Sequence, residues 1–197
     1  MSESATNIFL VRHGETVWNT QKRWQGSKNS NLTLQGVSQA QTARDLLTQQ
    51  PLHCAYVSPL QRAVDTIDII LENRDLSSTR MPEIRELNLG QWEGRTQQEI
   101  KICDPLQSNN FWSNPEQFQV KGAETFQQLQ QRVVAGIEKI YQKHPGENIL
   151  LVSHWVAIKV AIAHYSQIPL SKLATIADPK NAELLCLSKQ GEQVTVS

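Results

Sequence analysis

Arg12 and His13 stand side by side directly after a short apolar run, Asn7–Val11 (NIFLV), and Gly14, Glu15 and Thr16 follow them. Two further segments repeat the arrangement. Arg62 lies one turn into a helix that follows CAYVS, and His154 follows NILLVS. In open α/β sheets, ligands sit beyond the carboxyl ends of the strands. Three strand ends therefore bring two histidines and two arginines to one edge of a sheet. Guanidiniums present planar forks that match phosphate oxygens. Helix N-termini at Pro59 and near Trp155 add N–H donors and positive dipole ends. A neutral imidazole is a nucleophile near neutral pH, and neighbouring arginines lower its pKa and keep it unprotonated. The set suits phosphoryl transfer, where charge spreads over the equatorial oxygens and catalysis is mostly positioning and electrostatics. The leaving alcohol still needs a proton. A carboxylic acid opposite the nucleophile would supply it and then activate water. Glu15, Glu83, Glu86 and Glu93 are all candidates, and spacing does not choose among them.

The elements that must position these residues alternate between strand and helix. NIFLV, Cys54–Val57 and Asn148–Val152 read as short buried parallel strands. Thr33 to about Gln49 reads as a helix with Leu34, Val37, Ala40, Ala43 and Leu47 at helical spacing. Ser58-Pro59-Leu60-Gln61 reads as a capped start of a helix running to about Leu71. Met81–Arg95 reads as strand plus loop, and 96–122 as a short helix with an irregular surface excursion, a potential lid. Ala123–Lys143 is the strongest helix, and a helix to about Tyr165 follows Ser153-His154. Glu183–Ser188 and Gln193–Val196 read as a terminal hairpin around Gly191. The expectation is an α/β fold of one domain over 1–197: three layers, a mostly parallel central sheet and helices on both faces.

The 197 residues carry 19 basic and 19 acidic side chains, a net charge of zero. That balance argues against nucleic acid or an anionic membrane as a partner. The three cysteines, Cys54, Cys103 and Cys186, are far apart and form no CxxC pair, which argues against zinc and disulfide frameworks and for reduced core thiols in the cytoplasm. The start, MSESATN, lacks a basic n-region leading into an apolar stretch, and the apolar region from Ile149 to Ala163 is too short and polar to span a bilayer.

The segments VRHGETVWN (11–19), LTLQGVSQA (32–40), VSPLQRAVDT (57–66), RELNLGQWEG (85–94), GAETFQQLQQRV (122–133) and LLVSHW (150–155) together resemble the histidine phosphatase, or phosphoglycerate mutase-like, superfamily, in order and over nearly the whole chain. The resemblance implies that His13 is the phosphorylated nucleophile and that Arg12, Arg62 and His154 hold the phosphoryl oxygens. It makes Glu86 the proton donor, Asn19 a phosphate contact, and Gly14 and Thr16 pocket-lining positions. It implies no metal and no cofactor, a small-molecule phosphate ester as substrate, and a possible homodimer, since dimers occur among relatives. Glycine commonly follows the second histidine in the family. Trp155 stands there in this chain, and its indole either shapes the substrate pocket or displaces His154. No role passes to Glu124, because the segment around it departs from the common Gly-Glu-Ser.

Three functions fit these residues: a small-molecule phosphomonoesterase, a phosphoglycerate mutase sharing the first half-reaction, and a non-catalytic phosphate-binding module. The resemblance favours the first, since the family's mutases usually carry longer inserted segments and a more basic stretch where this chain has LNLGQWEG. His53, His144 and His164 read as structural or exposed. Trp18, Trp24, Trp92 and Trp112 read as packing residues, with Trp24 and Trp92, nearest the motifs, as the candidates for substrate stacking.

Overall fold

In a computed structural model, which describes residues 4–197, NIFLV forms the middle of β1 (Thr6–Arg12). Its neighbours are β2 (Cys54–Val57), β3 (Ser78–Arg80), β4 (Asn148–Ser153), β5 (Leu184–Gln190) and β6 (Gln193–Val196), in the sheet order β3-β2-β4-β1-β5-β6. The first four strands are mutually parallel, and β5 and β6 close the sheet as the antiparallel hairpin expected around Gly191. Alternation along each strand fills two cores. Ile8, Leu10, Ile149 and Leu151 face α6 (Phe126–Lys143) and α7 (Trp155–Tyr165), while Val11, Ala55, Val57, Leu150 and Val152 face α2 (Leu34–Leu47) and α3 (Gln61–Leu71). This is the expected three-layer α/β arrangement.

Register is what assembles the site. β1 and β4 pair with Arg12 opposite Ser153, and β2 and β4 pair with Val57 opposite Val152. His13, His154 and Ser58 are each the residue that leaves its strand at, or one step beyond, that level. Three chain segments far apart in sequence therefore emerge side by side.

The structure corrects several local expectations. The helix after β2 begins at Gln61 with Leu60 as an N-cap lacking any side-chain bond, so Ser58 is not its cap. Leu34 is 91% exposed, and the buried stripe of α2 is Gly36, Ala40, Ala43 and Leu47. Met81–Arg95 holds no strand. Pro82 cannot donate to a ladder and Gly90 takes φ +53°, and 3-10 turns form at Pro82–Ile84 and Gly90–Trp92 instead. The 96–122 excursion is mostly regular: α4 (Gln97–Cys103), started by a Thr96/Glu99 capping box, and α5 (Pro105–Ser113), with proline in its first turn. The long helix starts at Phe126 rather than Ala123, because Thr125 and Gln128 form its capping box. Among the described residues, no helix is long and apolar enough to cross a membrane.

Gly14 lies where the loop after β1 crosses the first turn of α2. A Cβ there would stand 2.5 Å from the Gly36 carbonyl oxygen, and a Cβ on Gly36 would collide with the Glu15 backbone. Gly14→Ala is therefore expected to cost roughly 1–3 kcal/mol of stability through overpacking, read as a lower midpoint in denaturant unfolding.

Candidate active site

A cavity of about 280 Å³ opens at the carboxyl ends of β1, β2 and β4, and Arg12, His13, Arg62 and Glu86 share its wall with Asn19 and Trp155. His13 is buried and its orientation is fixed by two bonds. Nδ1 meets the Gly14 carbonyl at 2.8 Å, which places the proton on Nδ1 and leaves the lone pair on Nε2. Nε2 in turn accepts from Arg62 Nε at 3.2 Å. Burial, then Arg62 and Arg12, push the His13 pKa well below its ordinary 6.5, so the ring is a neutral, nucleophilic imidazole at physiological pH.

Arg62 comes from the first turn of α3 and is 1% exposed. Nη1 donates to Lys28 O at 2.6 Å and Asn29 Oδ1 at 3.3 Å, and Nη2 donates to Gly26 O at 2.8 Å. Of the five guanidinium hydrogens, this leaves one on Nη2 and the Nε–H shared with His13. The loop of Gly26–Asn29 thus holds most of the fork, which the resemblance implies meets the phosphoryl oxygens. Burial lowers the Arg62 pKa to about 10, with Glu86 opposing the fall, and the group stays charged at neutral pH. Arg12 donates through Nη1 to Pro179 O at 2.8 Å, and its buried Nε has no partner.

His154 is fully buried and is not among the cavity-lining residues; its ring stands beside His13, with centroids 5.2 Å apart. Ser58 Oγ lies 2.6 Å from His154 Nε2 and also accepts from Leu60 N. His154 Nδ1 is buried and has no partner. Burial first, then Arg62, lowers the His154 pKa well below 6.5 as well.

The two depressed histidines tie stability to pH. Below about 6.5 the unfolded chain takes up protons that the folded chain refuses, so stability present above that pH is lost as pH falls toward the folded values. The expected slope is at most about 1.4 kcal/mol per pH unit for each histidine. Urea midpoints measured at pH 7.5 and pH 5.5 should differ accordingly, the lower midpoint being at pH 5.5.

Of the four candidate glutamates, Glu86 alone lines the cavity. Glu15 bonds Thr33, Glu83 pairs with Lys139 at the surface, and Glu93 accepts from Ser27 N and Leu89 N. Glu86 Oε1 accepts from Leu87 N at 2.9 Å and Ala157 N at 3.3 Å, and Oε2 from Val156 N at 3.3 Å, the last two being free N–H groups of the first turn of α7. Its backbone is held by Arg132 of α6, which donates to the carbonyls of Glu83, Arg85 and Glu86 while gripping both oxygens of Glu124. Glu124 therefore has a positioning role that the sequence reading did not give it.

The remaining expected residues divide. Asn19 lines the cavity, its Oδ1 held by the Thr16 amide and hydroxyl. Thr16 and Gly14 do not reach it. Thr16 caps α1 (Val17–Thr20) and orients Asn19, and Gly14 serves by its carbonyl and its lack of a Cβ. Trp155 lies against the cavity with its Nε1 donating to Asp178 Oδ1 at 2.9 Å, and His154 keeps its place beside His13. Trp24 and Trp112 line the cavity too, whereas Trp92 is a core residue bonded to Asp104. The sequence reading missed Ser58 as a histidine partner, Gln25 in the wall, and the strap Asp178–Ala182. In that strap, Asn181 Nδ2 holds His13 O at 2.9 Å and Ala182 N holds Arg12 O at 2.9 Å. Among the described residues, the one trio of metal-ligand types within reach of one ion is Cys54, His144 and Glu147, at the opposite end of β2 from the cavity. Glu147 there bonds His144 Nδ1 while Cys54 and Tyr56 meet Nε2, so the trio is joined by its own hydrogen bonds.

The profile of the Histidine phosphatase superfamily (branch 1) matches residues 8–197. The adenosylcobalamin/alpha-ribazole phosphatase of Salmonella typhimurium (strain LT2) is 32% identical over 167 residues, covering 84% of this chain and 82% of the relative. A metal-independent phosphoserine phosphatase of Arabidopsis thaliana is 31% identical over 170 residues, covering 85% and 71%. The solved structure of Bacillus stearothermophilus YhfR superposes with a TM-score of 0.94 at 32% identity, over 98% of this chain and 95% of that one. Sheet order, the paired histidines and these matches lead to one assignment: the chain belongs to the histidine phosphatase superfamily, branch 1.

Proposed function

We propose that this histidine phosphatase hydrolyses a small-molecule phosphate monoester by passing the phosphoryl group to Nε2 of His13 and then to water. The observation that carries the reading is the tautomer lock. Gly14 O holds Nδ1–H, so the lone pair on Nε2 enters a cavity that also holds two guanidiniums and one carboxyl group. In the first step Nε2 attacks phosphorus, the P–O bond to the alcohol breaks, and the leaving oxygen takes a proton from Glu86. Arg12, with its unpartnered Nε, and Arg62, through Nε and one Nη2 hydrogen, meet the equatorial oxygens. His154, its Nδ1 unpartnered, stands beside the imidazole that carries the phosphoryl group. In the second step water gives a proton to the Glu86 carboxylate and its oxygen attacks phosphorus, the P–N bond breaks, and inorganic phosphate leaves.

The named activities of the Salmonella and Arabidopsis relatives, both phosphatases of small esters, support this reading. The 96–122 segment supplies Gln97 and Trp112 to the cavity wall and acts as its lid within a single domain. The three free thiols favour a reducing, cytosolic setting. Two guanidiniums already supply the positive charge a divalent ion would bring, so the reaction runs without metal.

The test is release of inorganic phosphate from a panel of monoesters. Hydrolysis is expected in the presence of EDTA at an undiminished rate, and rapid quenching in base should trap an acid-labile phosphate on the protein. Activity lost to EDTA and restored by a divalent ion would reject the metal-free mechanism. With 3-phosphoglycerate, free phosphate is the expected product; 2-phosphoglycerate would mark a mutase.

A further inference from the structure

Beside the phosphate cavity lies a second hollow of about 350 Å³, and Trp112, Trp155, Val156 and Asp178 line both. Phe111, Leu173 and Ile176 make most of its floor apolar. Each hollow is near the small end of ligand sites, which run from about 300 to 1,000 Å³, and the shared wall makes them two chambers of one groove. The partition is the Trp155 indole, pinned by its bond to Asp178, which also accepts from Lys159 Nζ at 2.7 Å. That ion pair neutralises the only charges lining the second chamber.

The wall is aromatic on several sides. The Trp155 ring lies 5.5 Å from Trp112 and 6.0 Å from Phe111, and it stands nearly parallel to Trp24, with interplanar angle 22° and centroids 6.4 Å apart. Trp24 Nε1 and Gln25 Oε1 are buried in the same wall with no partner, one uncharged donor and one uncharged acceptor. Cations on the leaving-group side are few. Arg23 donates to Gly94 O and Gln21 and stands beside Glu99, and Lys22 is exposed at the rim.

From this arrangement we infer that the substrate's alcohol portion is a flat, apolar or aromatic group that leaves the phosphate cavity across Trp155 and Trp112 into the second chamber. The inference rests on the phosphatase reading above and narrows it. The preferred esters are uncharged and ring-bearing, and small carboxylated esters such as phosphoserine are poor substrates. Stacking on indole faces and removal of ring surface from water supply the preference.

Ethyl phosphate and 2-phenylethyl phosphate test it, because both release primary alcohols of similar basicity and differ chiefly in the ring. Wild-type kcat/KM is expected to favour the phenylethyl ester at least tenfold, with O-phosphoserine below both. Trp112, 43% exposed at the end of α5, can be truncated without opening the core. Trp112→Ala should cut the phenylethyl-to-ethyl ratio several-fold, chiefly through KM. Ala174→Trp, at an exposed position on the second chamber, should fill that chamber and cut the ratio independently. Equal kcat/KM for the two esters, or a ratio that neither substitution changes, would overturn this inference and leave phosphatase activity standing. Phosphate release from neither these esters nor p-nitrophenyl phosphate would overturn the phosphatase reading and the inference with it.

Discussion

His13→Ala protein is expected to release phosphate from monoesters at least about 10⁴-fold more slowly than wild type in kcat, and to carry no acid-labile phosphate after a base quench. The size of the effect follows from the local chemistry. No other cavity-lining side chain presents an unprotonated nitrogen: the guanidiniums of Arg12 and Arg62 are acceptor-free, and Asn19 offers only an amide. His154 cannot substitute, because it is fully buried, lies outside the cavity wall and has its Nε2 bonded to Ser58. The substitution also leaves Arg62 Nε without its acceptor, which costs on the order of 1–3 kcal/mol of stability. A loss of activity caused only by unfolding is separated from a chemical loss by a melt: the variant should remain folded at assay temperature and still protect its phosphate-binding residues when inorganic phosphate is added. A folded variant with wild-type kcat would remove His13 from the nucleophile's place.

What the sequence made legible follows from which interactions are local. Strand ends are local: NIFLV, CAYV and NILLV are short apolar runs, and the chemistry-bearing residues come within a few positions of their ends, so Arg12, His13, Arg62 and His154 are readable from sequence alone. The register that sets Arg12 opposite Ser153 is a contact between residues 141 positions apart, and no pattern within either strand encodes it. The same limit hid Ser58. Ser-Pro-Leu-Gln is a good helix start in isolation, yet the serine hydroxyl is drawn to His154, and the helix begins at Gln61 without a side-chain cap. Glu86 could not be told from Glu15, Glu83 and Glu93 by spacing; the family resemblance singled it out, and its distinguishing physical feature is the first turn of α7, met only in three dimensions. The resemblance implies that Gly14 and Thr16 line the pocket, yet neither is among the cavity-lining residues, because their place in the family motif does not fix which way the loop presents them. Gly14 packs against the Gly36 backbone, and Thr16 caps α1. Asp178–Ala182 carries no signal beyond a polar, proline-containing loop before the terminal hairpin, although it straps both Arg12 and His13.

Glu86→Gln separates the two steps assigned to that carboxyl group. The amide is nearly isosteric. Its oxygen can keep the bonds from Leu87 N and Ala157 N, while its NH₂ faces Val156 N and loses one bond, a cost on the order of 1 kcal/mol that leaves the fold intact. It can neither donate an acidic proton nor accept one from water. The first step then depends on the leaving group. An alkoxide leaving unprotonated raises the barrier, so kcat/KM for an alkyl ester should fall about 10²–10⁴-fold, whereas p-nitrophenolate leaves readily without a proton and kcat/KM for p-nitrophenyl phosphate should fall far less. The second step is the same for every ester, because the alcohol has already gone and water must attack the same phosphohistidine without a base. Turnover of p-nitrophenyl phosphate should therefore slow after one equivalent, giving a burst of p-nitrophenol followed by a slow steady rate, and phosphohistidine should accumulate in this variant above the wild-type level. Equal losses in kcat/KM for alkyl and aryl esters, with no burst, would place the acid on another residue; the burst without the alkyl–aryl difference would leave Glu86 as the base of hydrolysis alone.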